Sequence, residues 1–350
     1  MVRKITTIGI IGGGQLGRMI CFDAQKLGFH TVVFVDHDNS PASFVTNKTI
    51  VANYDDKAAL AEFASLVDVI TFEFENIPFA AAEFLTSKVP FYPNPEILKT
   101  TQNRILEKNF LNSIGVKTAD YAEVPTLAAL KKNLAIFGKA ILKTATMGYD
   151  GKGQFVLKNE KDADIAWEQA GDQELVLEGF CPFESEASVI VARSTNGEVS
   201  AYEPLTNIHK NGILDESIYP AKISDVLSKK AQDIAIKIAQ ELDLVGLLAV
   251  EFFVMKDELL VNEVAPRPHN SGHFSMDANV TPQFEQLIRA VASLPLGSVK
   301  FHSKGYMKNL IGDDVNDVDK FYQNSQAKIH LYAKSEAKDG RKMGHVNILS

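Results

Sequence analysis

Two glutamates, Glu251 and Glu263, lie in consecutive strand-like segments, AVEFFV and ELLVNEV, which a short polar turn joins. Both lie at the same sequence distance from Asp257, so a loop of about three residues centred there sets the carboxylates opposite each other, about 5 Å apart. Carboxylates that close repel unless a proton or a cation lies between them. Mg²⁺ suits such a pair, with Mn²⁺ as a second candidate, because it leaves its other positions to water and phosphate. The alternative is an ordinary hairpin whose polar side chains face solvent.

Three hydrogen-bond donors follow the second of these strands, in the segment APRPHNSGH. Pro266 and Pro268 stiffen an extended backbone. Between and after them, Arg267, His269 and Asn270 offer donors that suit a small oxyanion. Together with the glutamate hairpin, the segment predicts a combined metal and anion site.

A glycine-rich turn near the N-terminus is a second candidate binding surface. The apolar strand ITTIGII leads into Gly12–Gly17, and a helix is predicted from Gln15 to about Leu27. With Asp36 about 20 positions on, the pattern matches the dinucleotide-binding fingerprint and suggests NAD. The same glycines serve any tight strand-to-helix turn that brings another anionic ligand to a helix N-terminus.

Further polar groups follow predicted strands in the first half of the chain. Glu73 and Glu75 come at or just after the strand VDVITF, where ligands of parallel α/β sheets gather; solvent-facing carboxylates are the alternative. A domain boundary is predicted near Thr100, after the stiff segment FYPNP. The next predicted helix, Gln102 to Ile114, carries Arg104.

A glycine-lysine loop follows the predicted strand that ends in Lys143. Its sequence, TATMGYDGKGQ, has three glycines in six residues and a lysine among them, which describes a mobile loop that can close over phosphates. It is not a Walker A motif, because the G-K-[ST] ending is missing. A glycine-rich hairpin turn is the alternative. The order strand, loop, strand, helix, strand predicts a small α/β lobe.

The remaining polar positions are less specific. Glu186 lies on an alternating strand, and His209 is predicted in a polar loop. Near the C-terminus, Lys334, Arg341 and Lys342 form a basic cluster in an otherwise acidic chain. The cluster could bind a phosphate or be a solvated tail.

Composition limits the class of protein. The chain has 350 residues, 45% of them hydrophobic, and a net charge of −8, which argues against non-specific nucleic-acid binding as its main role. Cys21 and Cys181 are too few for a disulfide framework or a zinc site, so a cytoplasmic location is the default. The N-terminus does not have the pattern of a signal peptide, and no apolar run is long enough to span a membrane.

Four motifs, in the order IGIIGGGQLGRM, KTATMGYDGKGQ, NIHKNGILDESIYPA and VNEVAPRPHNSGH, resemble the N5-carboxyaminoimidazole ribonucleotide synthase family of ATP-grasp enzymes. The resemblance runs from Thr6 to Asn347. It implies an α/β ATP-grasp fold with a Rossmann-like N-terminal domain over residues 1–100. A linker helix and a central lid lobe would cover 101–179, and a C-terminal mixed-sheet domain 180–350. It also implies a homodimer.

The resemblance implies a role for each candidate residue, in four groups. ATP would be bound by Arg104, Lys143, Gly148, Tyr149, Asp150, Gly151, Lys152, Gly153, Gln154, Glu178, Gly179, Phe180, Cys181, Glu186, His209, Asn262 and Glu263. Glu251 and Glu263 would hold the metal ion. Bicarbonate would meet Arg267, His269 and Asn270, which with Lys143 and Asp150 would be the catalytic residues. The 5-aminoimidazole ribonucleotide (AIR) would contact Gln15, Leu16, Glu73, Glu75, Tyr149, Asp150, Lys152, Lys334, Arg341 and Lys342.

The implied reaction belongs to de novo purine biosynthesis. Bicarbonate attacks the γ-phosphoryl group of ATP to give carboxyphosphate, which then carboxylates the exocyclic amine of AIR. Asp150 or the released phosphate could accept the amine proton. Three alternatives stay open: a formate-using ATP-grasp ligase acting on glycinamide ribonucleotide, an NAD-dependent oxidoreductase, and a non-catalytic ATP-binding regulator.

Overall fold

The protein is an α/β molecule with three β-sheets in the computed structural model, which describes residues 5–146 and 153–350. Each sheet lies in one part of the chain, and the order of the sheets along the sequence is N-terminal, small central and large C-terminal. The predicted α/β class is confirmed. Within the described residues no helix is long and apolar enough to cross a membrane.

The N-terminal sheet has four parallel strands in the order β3-β2-β1-β4. Its elements are β1 Thr7–Ile11, α1 Gln15–Lys26, β2 His30–Val35, β3 Lys48–Val51, α2 Lys57–Ser65, β4 Val69–Phe72 and α3 Phe79–Thr86. Strands β1 and β4 are neighbours, so the glycine turn after β1 and the glutamates after β4 meet at the same edge. Ligands of parallel sheets bind at such an edge.

Two helices connect this sheet to the next, α4 Pro95–Gln102 and α5 Arg104–Ser113. The single helix predicted from Gln102 to Ile114 is therefore wrong at its start. Asn103 has extended backbone angles, and its side chain accepts hydrogen bonds from the N–H groups of Ile105 and Leu106. This Asn cap begins a new helix with Arg104 in its first turn.

The small central sheet is antiparallel, with strand order β5-β8-β6-β7. Its elements are β5 Tyr121–Glu123, α6 Leu127–Phe137, β6 Ala140–Thr144, β7 Gln154–Leu157, α7 Glu160–Ala170 and β8 Leu175–Gly179. The predicted strands on either side of the glycine-lysine segment, and the helix and strand that follow them, are confirmed as β6, β7, α7 and β8. Leu142 and Leu177 on the sheet pack against Leu130 of α6 and Ala166 of α7.

The large sheet has nine strands, ordered β14-β13-β9-β11-β12-β15-β17-β16, with β10 paired to β9. The strands are β9 Ser185–Arg193, β10 Val199–Ala201, β11 Leu205–Lys210, β12 Ile213–Tyr219, β13 Gly246–Val254, β14 Leu259–Ala265, β15 Gly305–Ile311, β16 Ala327–Leu331 and β17 Lys342–Leu349. The helices are α8 Asp225–Glu241, α9 Ser275–Ala278, α10 Gln283–Val291 and α11 Asp319–Tyr322, with 3₁₀ turns at Asn270–Phe274 and Gly312–Asp317. His209 was predicted in a loop, but it lies in β11 at a bulge.

Helices cover both faces of the β9–β13 region. The apolar side of α8 packs on one face, where Leu227, Ala231 and Ile238 meet Val189 and Leu248. On the other face α10 lies between the sheet and α1. The large and N-terminal sheets therefore share one apolar cluster, which fixes the edges that carry the polar residues.

Candidate active site

A cavity of about 640 Å³ opens where the three sheets meet. Its walls come from the glycine turn, the ends of β4 and β6, helix α5 and the large sheet. The cavity brings together sixteen of the predicted site residues: Gln15, Leu16, Glu73, Glu75, Arg104, Lys143, Gln154, Glu186, His209, Glu251, Asn262, Glu263, Arg267, His269, Asn270 and Lys342. Residues far apart in sequence thus line one space.

The two glutamates of the hairpin are register partners: Glu251 of β13 pairs with Glu263 of β14. The connecting loop is residues 255–258, and the ladder shifts by one residue between Glu251 and Phe252. The shift leaves Asn262 as an extra residue, a β-bulge, so that Asn262 and Glu263 both line the cavity. Burial, and then the charge of Glu263, raise the pKa of Glu251 to about 8.

This carboxylate pair fits a hard divalent cation. Without one, the pair is costly in its buried setting, as the raised pKa of Glu251 records. Among residues 5–146 and 153–350 there is no cluster of three or more His, Cys, Asp or Glu side chains arranged to hold a metal. Two carboxylates are enough for Mg²⁺, because water and substrate phosphates complete its octahedron.

Arg267 makes a two-pronged ion pair with Glu75. Its Nη2 lies 2.8 Å from Glu75 Oε1, its Nε donates to Oε2, and its Nη1 donates to the Pro268 carbonyl at 3.2 Å. Burial opposes ionisation of Glu75, but the guanidinium outweighs it and lowers the pKa of that carboxyl to about 2. Both members of the pair stay charged, and the pair joins the N-terminal unit to the large sheet.

His269 is neutral, and its Nε2 atom faces Glu251 of the carboxylate pair. Burial, and then the charge of Arg267, lower the pKa of His269 to about 3. Its Nδ1 lies 2.8 Å from Ser271 Oγ and also accepts the Ser271 backbone N–H at 3.3 Å. The ring proton therefore lies on Nε2, which is 3.6 Å from Glu251 Oε1.

Asn270 is held by a reciprocal amide pair with the buried Asn309. The Asn270 amide donates to Asn309 Oδ1 at 3.0 Å, and the Asn309 amide donates back to Asn270 Oδ1 at 2.7 Å. Since Asn309 also donates to the Leu214 carbonyl, its orientation is fixed. Asn270 thus presents a set amide face beside Arg267 and His269.

Lys143 shares a buried carboxylate with a second lysine. Its Nζ donates to Glu178 Oε2 at 2.9 Å, and Lys108 Nζ lies 3.3 Å from Glu178 Oε1. Burial disfavours the charge on Glu178, yet the two lysines outweigh it and lower the pKa of Glu178 to about 2. Burial lowers the pKa of Lys143, and the charge of Glu178 opposes that shift. With both lysines protonated, two positive charges against one negative charge make this wall cationic, which suits a polyphosphate.

Arg104 connects this wall to the carboxylate pair of Glu251 and Glu263, because its Nη1 lies 3.2 Å from Glu263 Oε2. Glu107 lies one turn further along α5 and was not among the residues predicted from the sequence. Its Oε2 accepts the Val264 N–H at 3.3 Å, and burial followed by the charge of Glu263 raises its pKa to about 8. The three-residue spacing from Arg104, which places both on one helix face, was the available signal.

The far end of the cavity is partly aromatic. Glu186 Oε2 lies 2.7 Å from His209 Nδ1, and this bond outweighs burial and raises the pKa of His209. Nearby, Phe183 and Phe253 stack with ring centroids 4.6 Å apart and planes 3° apart. Both phenylalanines line the cavity, and neither was predicted. Phe253 lies on β13, where a phenylalanine is usually part of the core, and Phe183 lies in the segment between β8 and β9.

Glu73 fills the helix N-terminus that the dinucleotide fingerprint would offer to a pyrophosphate. Its Oε2 accepts the Gly17 N–H at 2.8 Å, and its Oε1 accepts the Gly14 N–H. A Cβ built on Gly14 would lie 2.6 Å from Glu73 Oε1, so this glycine makes room for the carboxylate. The NAD hypothesis is therefore contradicted at its anion-binding turn.

Several predicted residues lie elsewhere. The cavity lining does not include Glu178, Gly179, Phe180, Cys181, Gly153, Lys334 or Arg341. Lys334 Nζ donates to the Lys342 carbonyl at 2.7 Å, and Arg341 Nη1 to the Glu336 carbonyl at 3.0 Å. The positions Gly148, Tyr149, Asp150, Gly151 and Lys152 are outside the described residues.

Three family models match consecutive parts of the chain. The ribonucleotide synthetase preATP-grasp domain matches residues 5–102, the ATP-grasp domain matches 109–284, and the phosphoribosylaminoimidazole carboxylase C-terminal domain matches 305–350. Together they span almost the whole sequence: the first covers the N-terminal sheet, the second the central sheet and strands β9–β14 of the large sheet, and the third strands β15–β17.

The relatives carry consistent names. The chain is 47% identical to the N5-carboxyaminoimidazole ribonucleotide synthase of Brucella melitensis, covering 97% of this chain and 95% of that protein. It is 45% identical to the bifunctional purine synthesis protein purC/E of Dictyostelium discoideum, of which it spans 37% of the length.

Solved structures of that synthase are also similar. An ADP complex is 45% identical, with a TM-score of 0.96 over 100% of this chain and 94% of that one. The Aspergillus clavatus enzyme, in complex with ADP and 5-aminoimidazole ribonucleotide, is 31% identical. Its TM-score is 0.93, with coverage of 99% of this chain and 94% of that one.

Proposed function

This chain belongs to the N5-carboxyaminoimidazole ribonucleotide synthase family, and from that premise we propose which of its residues carry the reaction. The protein is an ATP-dependent carbon–nitrogen ligase of purine biosynthesis. It carboxylates the amine of AIR with bicarbonate, by way of carboxyphosphate, and releases ADP and phosphate.

ATP lies against the cationic wall in this proposal. Lys143 and Arg104 meet its phosphates, the Gly148–Gln154 loop closes over them, and Glu186 with His209 holds the ribose. Phe183 and Phe253 give the base an apolar face. In the described part of the chain, the Cys181 backbone N–H has no hydrogen-bond partner, so this end of the Glu178–Cys181 segment is available to the adenine edge.

Bicarbonate lies between Arg267, His269 and Asn270. The support is their donor chemistry: a guanidinium, a neutral Nε2–H and an oriented amide converge on one wall. Because His269 is neutral, it donates a hydrogen bond to the anion but does not form an ion pair with it. Arg267 stabilises the charge that develops as an oxygen of bicarbonate attacks phosphorus.

Mg²⁺, or Mn²⁺, is held by Glu251 and Glu263 in this proposal, with Asn262 beside them. When bound, the ion neutralises charge on the β- and γ-phosphate oxygens. Arg104 and Lys143 would add positive charge beside the same phosphates, and Arg104 also orients Glu263 through its 3.2 Å contact.

AIR takes the side of the cavity that the N-terminal unit lines, with Gln15, Leu16, Glu73 and Glu75 on one side and Lys342 on the other. Tyr149, Asp150 and Lys152 of the loop and the nearby Lys334 and Arg341 complete the proposed contacts. Closure of the loop keeps water from the carboxylating intermediate. Asp150 or the released phosphate accepts the amine proton.

A homodimer and a cytoplasmic location complete the proposal. Cys21 is a buried free thiol and Cys181 a partly exposed one, which suits a reducing compartment. Mass photometry tests the oligomeric state: a dominant species at twice the mass of the 38.5 kDa chain supports the dimer, and the single mass excludes it at the concentration used.

The observation that carries the function is the meeting of the Arg267–Asn270 donors with the Glu251–Glu263 pair in one cavity. Incorporation of labelled bicarbonate into AIR, with ATP and Mg²⁺, is the test. Incorporation into AIR supports the proposal, whereas labelling of glycinamide ribonucleotide from formate in its place would favour the formate ligase.

A further inference from the structure

Gln283, the first residue of α10, bonds to both backbone groups of His269. Its Oε1 accepts the His269 N–H at 3.0 Å, and its Nε2 donates to the His269 carbonyl at 2.9 Å. The side chain is fully buried and is outside the cavity lining. It therefore contacts the anion-binding segment from behind.

The amide of Gln283 has one orientation only. A backbone N–H must meet the oxygen and a backbone carbonyl must meet the nitrogen, so a flipped amide would lose both bonds. The second Nε2 hydrogen points at His273 Nδ1, 3.0 Å away. The amide oxygen and both amide hydrogens of Gln283 are thus hydrogen-bonded, and two of these three bonds are to His269.

The helix that carries Gln283 is well anchored. Phe284, Leu287 and Ile288 of α10 belong to the apolar cluster that α1 and β13 share. The Gln283 N–H donates to Ser275 Oγ at 3.0 Å. A side chain on a fixed element can hold a neighbouring backbone within about 0.5 Å of one position.

Gly272 leaves room for the side chain of Gln283. A Cβ on Gly272 would lie 2.6 Å from Gln283 Oε1 and 2.9 Å from Ile190 Cγ1. Glycine is therefore needed at 272, because the glutamine passes directly against the backbone there. The side chain of Gln283 fills the space that a Cβ at residue 272 would occupy.

Fixing the His269 main chain fixes the groups around it. The ring reaches Ser271 through Nδ1 and presents Nε2–H to the cavity, and Arg267 and Asn270 lie two residues before and one after. We propose that Gln283 is a positioning residue for bicarbonate binding, which sets the His269 backbone and through it the Arg267–Asn270 donors. The inference rests on the bicarbonate role proposed above.

The chain offers a matched control in Gln286, three residues further along α10. Gln286 is equally buried and binds a backbone in the same two-bond manner: its Nε2 donates to the Gly297 carbonyl at 2.9 Å and its Oε1 accepts the Gly297 N–H at 2.8 Å. Gly297 is outside the cavity lining. Gln283→Met and Gln286→Met therefore remove similar bonds from the same helix, and only the first touches the site.

Steady-state kinetics on both variants test the proposal. We expect Gln283→Met to raise the bicarbonate KM by roughly ten- to a hundredfold, since small misplacements of binding groups have effects of that size. The ATP KM should stay within about twofold, as should every constant of Gln286→Met. Equal effects of the two variants, or an unchanged bicarbonate KM in Gln283→Met, would overturn the proposal.

A second variant and a non-kinetic measurement keep the test decisive. If Gln283→Met does not fold, Gln283→Glu retains the acceptor for the His269 N–H and loses the amide donors; a smaller rise in bicarbonate KM is expected, and no rise overturns the proposal. Amide hydrogen exchange of His269, followed by NMR on histidine-labelled protein, is independent of the bicarbonate role. We expect about tenfold faster exchange in the Gln283 variant only; unchanged exchange would refute the positioning role even if the proposed function fails.

Discussion

Glu251 and Glu263 lie opposite each other across β13 and β14, and a bulge at Asn262 begins a run of four consecutive residues of β14, 262–265, that line the same cavity. In a regular strand, neighbouring side chains point to opposite faces. The extra residue breaks that alternation at the position where the carboxylate pair needs a polar neighbour. Bulges commonly re-aim side chains beside active sites in this way.

Glu263→Gln should abolish most Mg²⁺-dependent turnover. The variant keeps the shape of the side chain but removes one of the two charges that hold the cation. We expect kcat to fall about a hundredfold, roughly 3 kcal/mol of transition-state stabilisation, and the Mg²⁺ concentration for half-maximal rate to rise. Rates measured across a Mg²⁺ titration give both values.

Glu258→Gln is the control for that variant. Glu258 is in the turn of the same hairpin, outside the cavity lining, and pairs with Lys117. Its Mg²⁺ dependence should match the wild type. Near-native kcat in Glu263→Gln would end the assignment of the metal to this pair.

Arg267→Lys should weaken bicarbonate binding and leave nucleotide binding intact. A lysine cannot reproduce the fork that Arg267 makes with Glu75, so the charge moves away from the anion. We expect the bicarbonate KM to rise about tenfold or more, with the ADP Kd by calorimetry within about twofold. An unchanged bicarbonate KM would remove Arg267 from that role.

Lys143 and Lys108 should separate into binding and structural roles, although both contact Glu178. Lys143 lines the cavity and Lys108 does not. Lys143→Met should lower kcat/KM for ATP by about a hundredfold, whereas Lys108→Met should chiefly lower the free energy of unfolding, by a few kcal/mol, because it removes one partner of a buried charge. Similar losses of kcat/KM in both variants would contradict this division.

A pH dependence of stability is expected from Asp23, on α1. Burial raises its pKa from 3.8 to about 6, with the charge of Glu285 adding to the effect. A raised folded pKa means that the ionised carboxyl destabilises the native state above pH 6, and that this penalty fades as the pH falls towards 4. Asp23→Asn should therefore increase the free energy of unfolding by roughly 1–3 kcal/mol at about pH 8 and by little at about pH 4.

Urea unfolding at both pH values measures that difference. Asp233→Asn is the control, since Asp233 is an exposed aspartate on α8, and its effect should stay within about 0.5 kcal/mol at either pH. A stability gain of Asp23→Asn that is the same at both pH values would show that the ionised carboxyl is not its source.

Local patterns predicted much of the fold. The glycine turn into α1, and the strand, helix and strand that follow the glycine-lysine segment, were predicted closely. The break at Asn103 and the strand position of His209 were missed, because an Asn cap and a bulged strand leave weak sequence signals. The domain boundaries near residues 100 and 180 stay predictions.

The candidate site was predictable where one motif supplied several groups, as in Arg267–Asn270. The partners that set those groups come from distant segments, and no local pattern indicates the pairing of Glu75 with Arg267, Asn309 with Asn270 or Gln283 with His269. Tertiary contacts alone reveal them.

Phosphate release from MgATP, with AIR and bicarbonate added singly and together, tests whether the enzyme couples ATP hydrolysis to carboxylation of AIR. We expect rapid release only when AIR is present. With all three substrates, one labelled bicarbonate carbon should be trapped in the product for each phosphate released. Release that does not depend on AIR, or product that carries no label from bicarbonate, would contradict it.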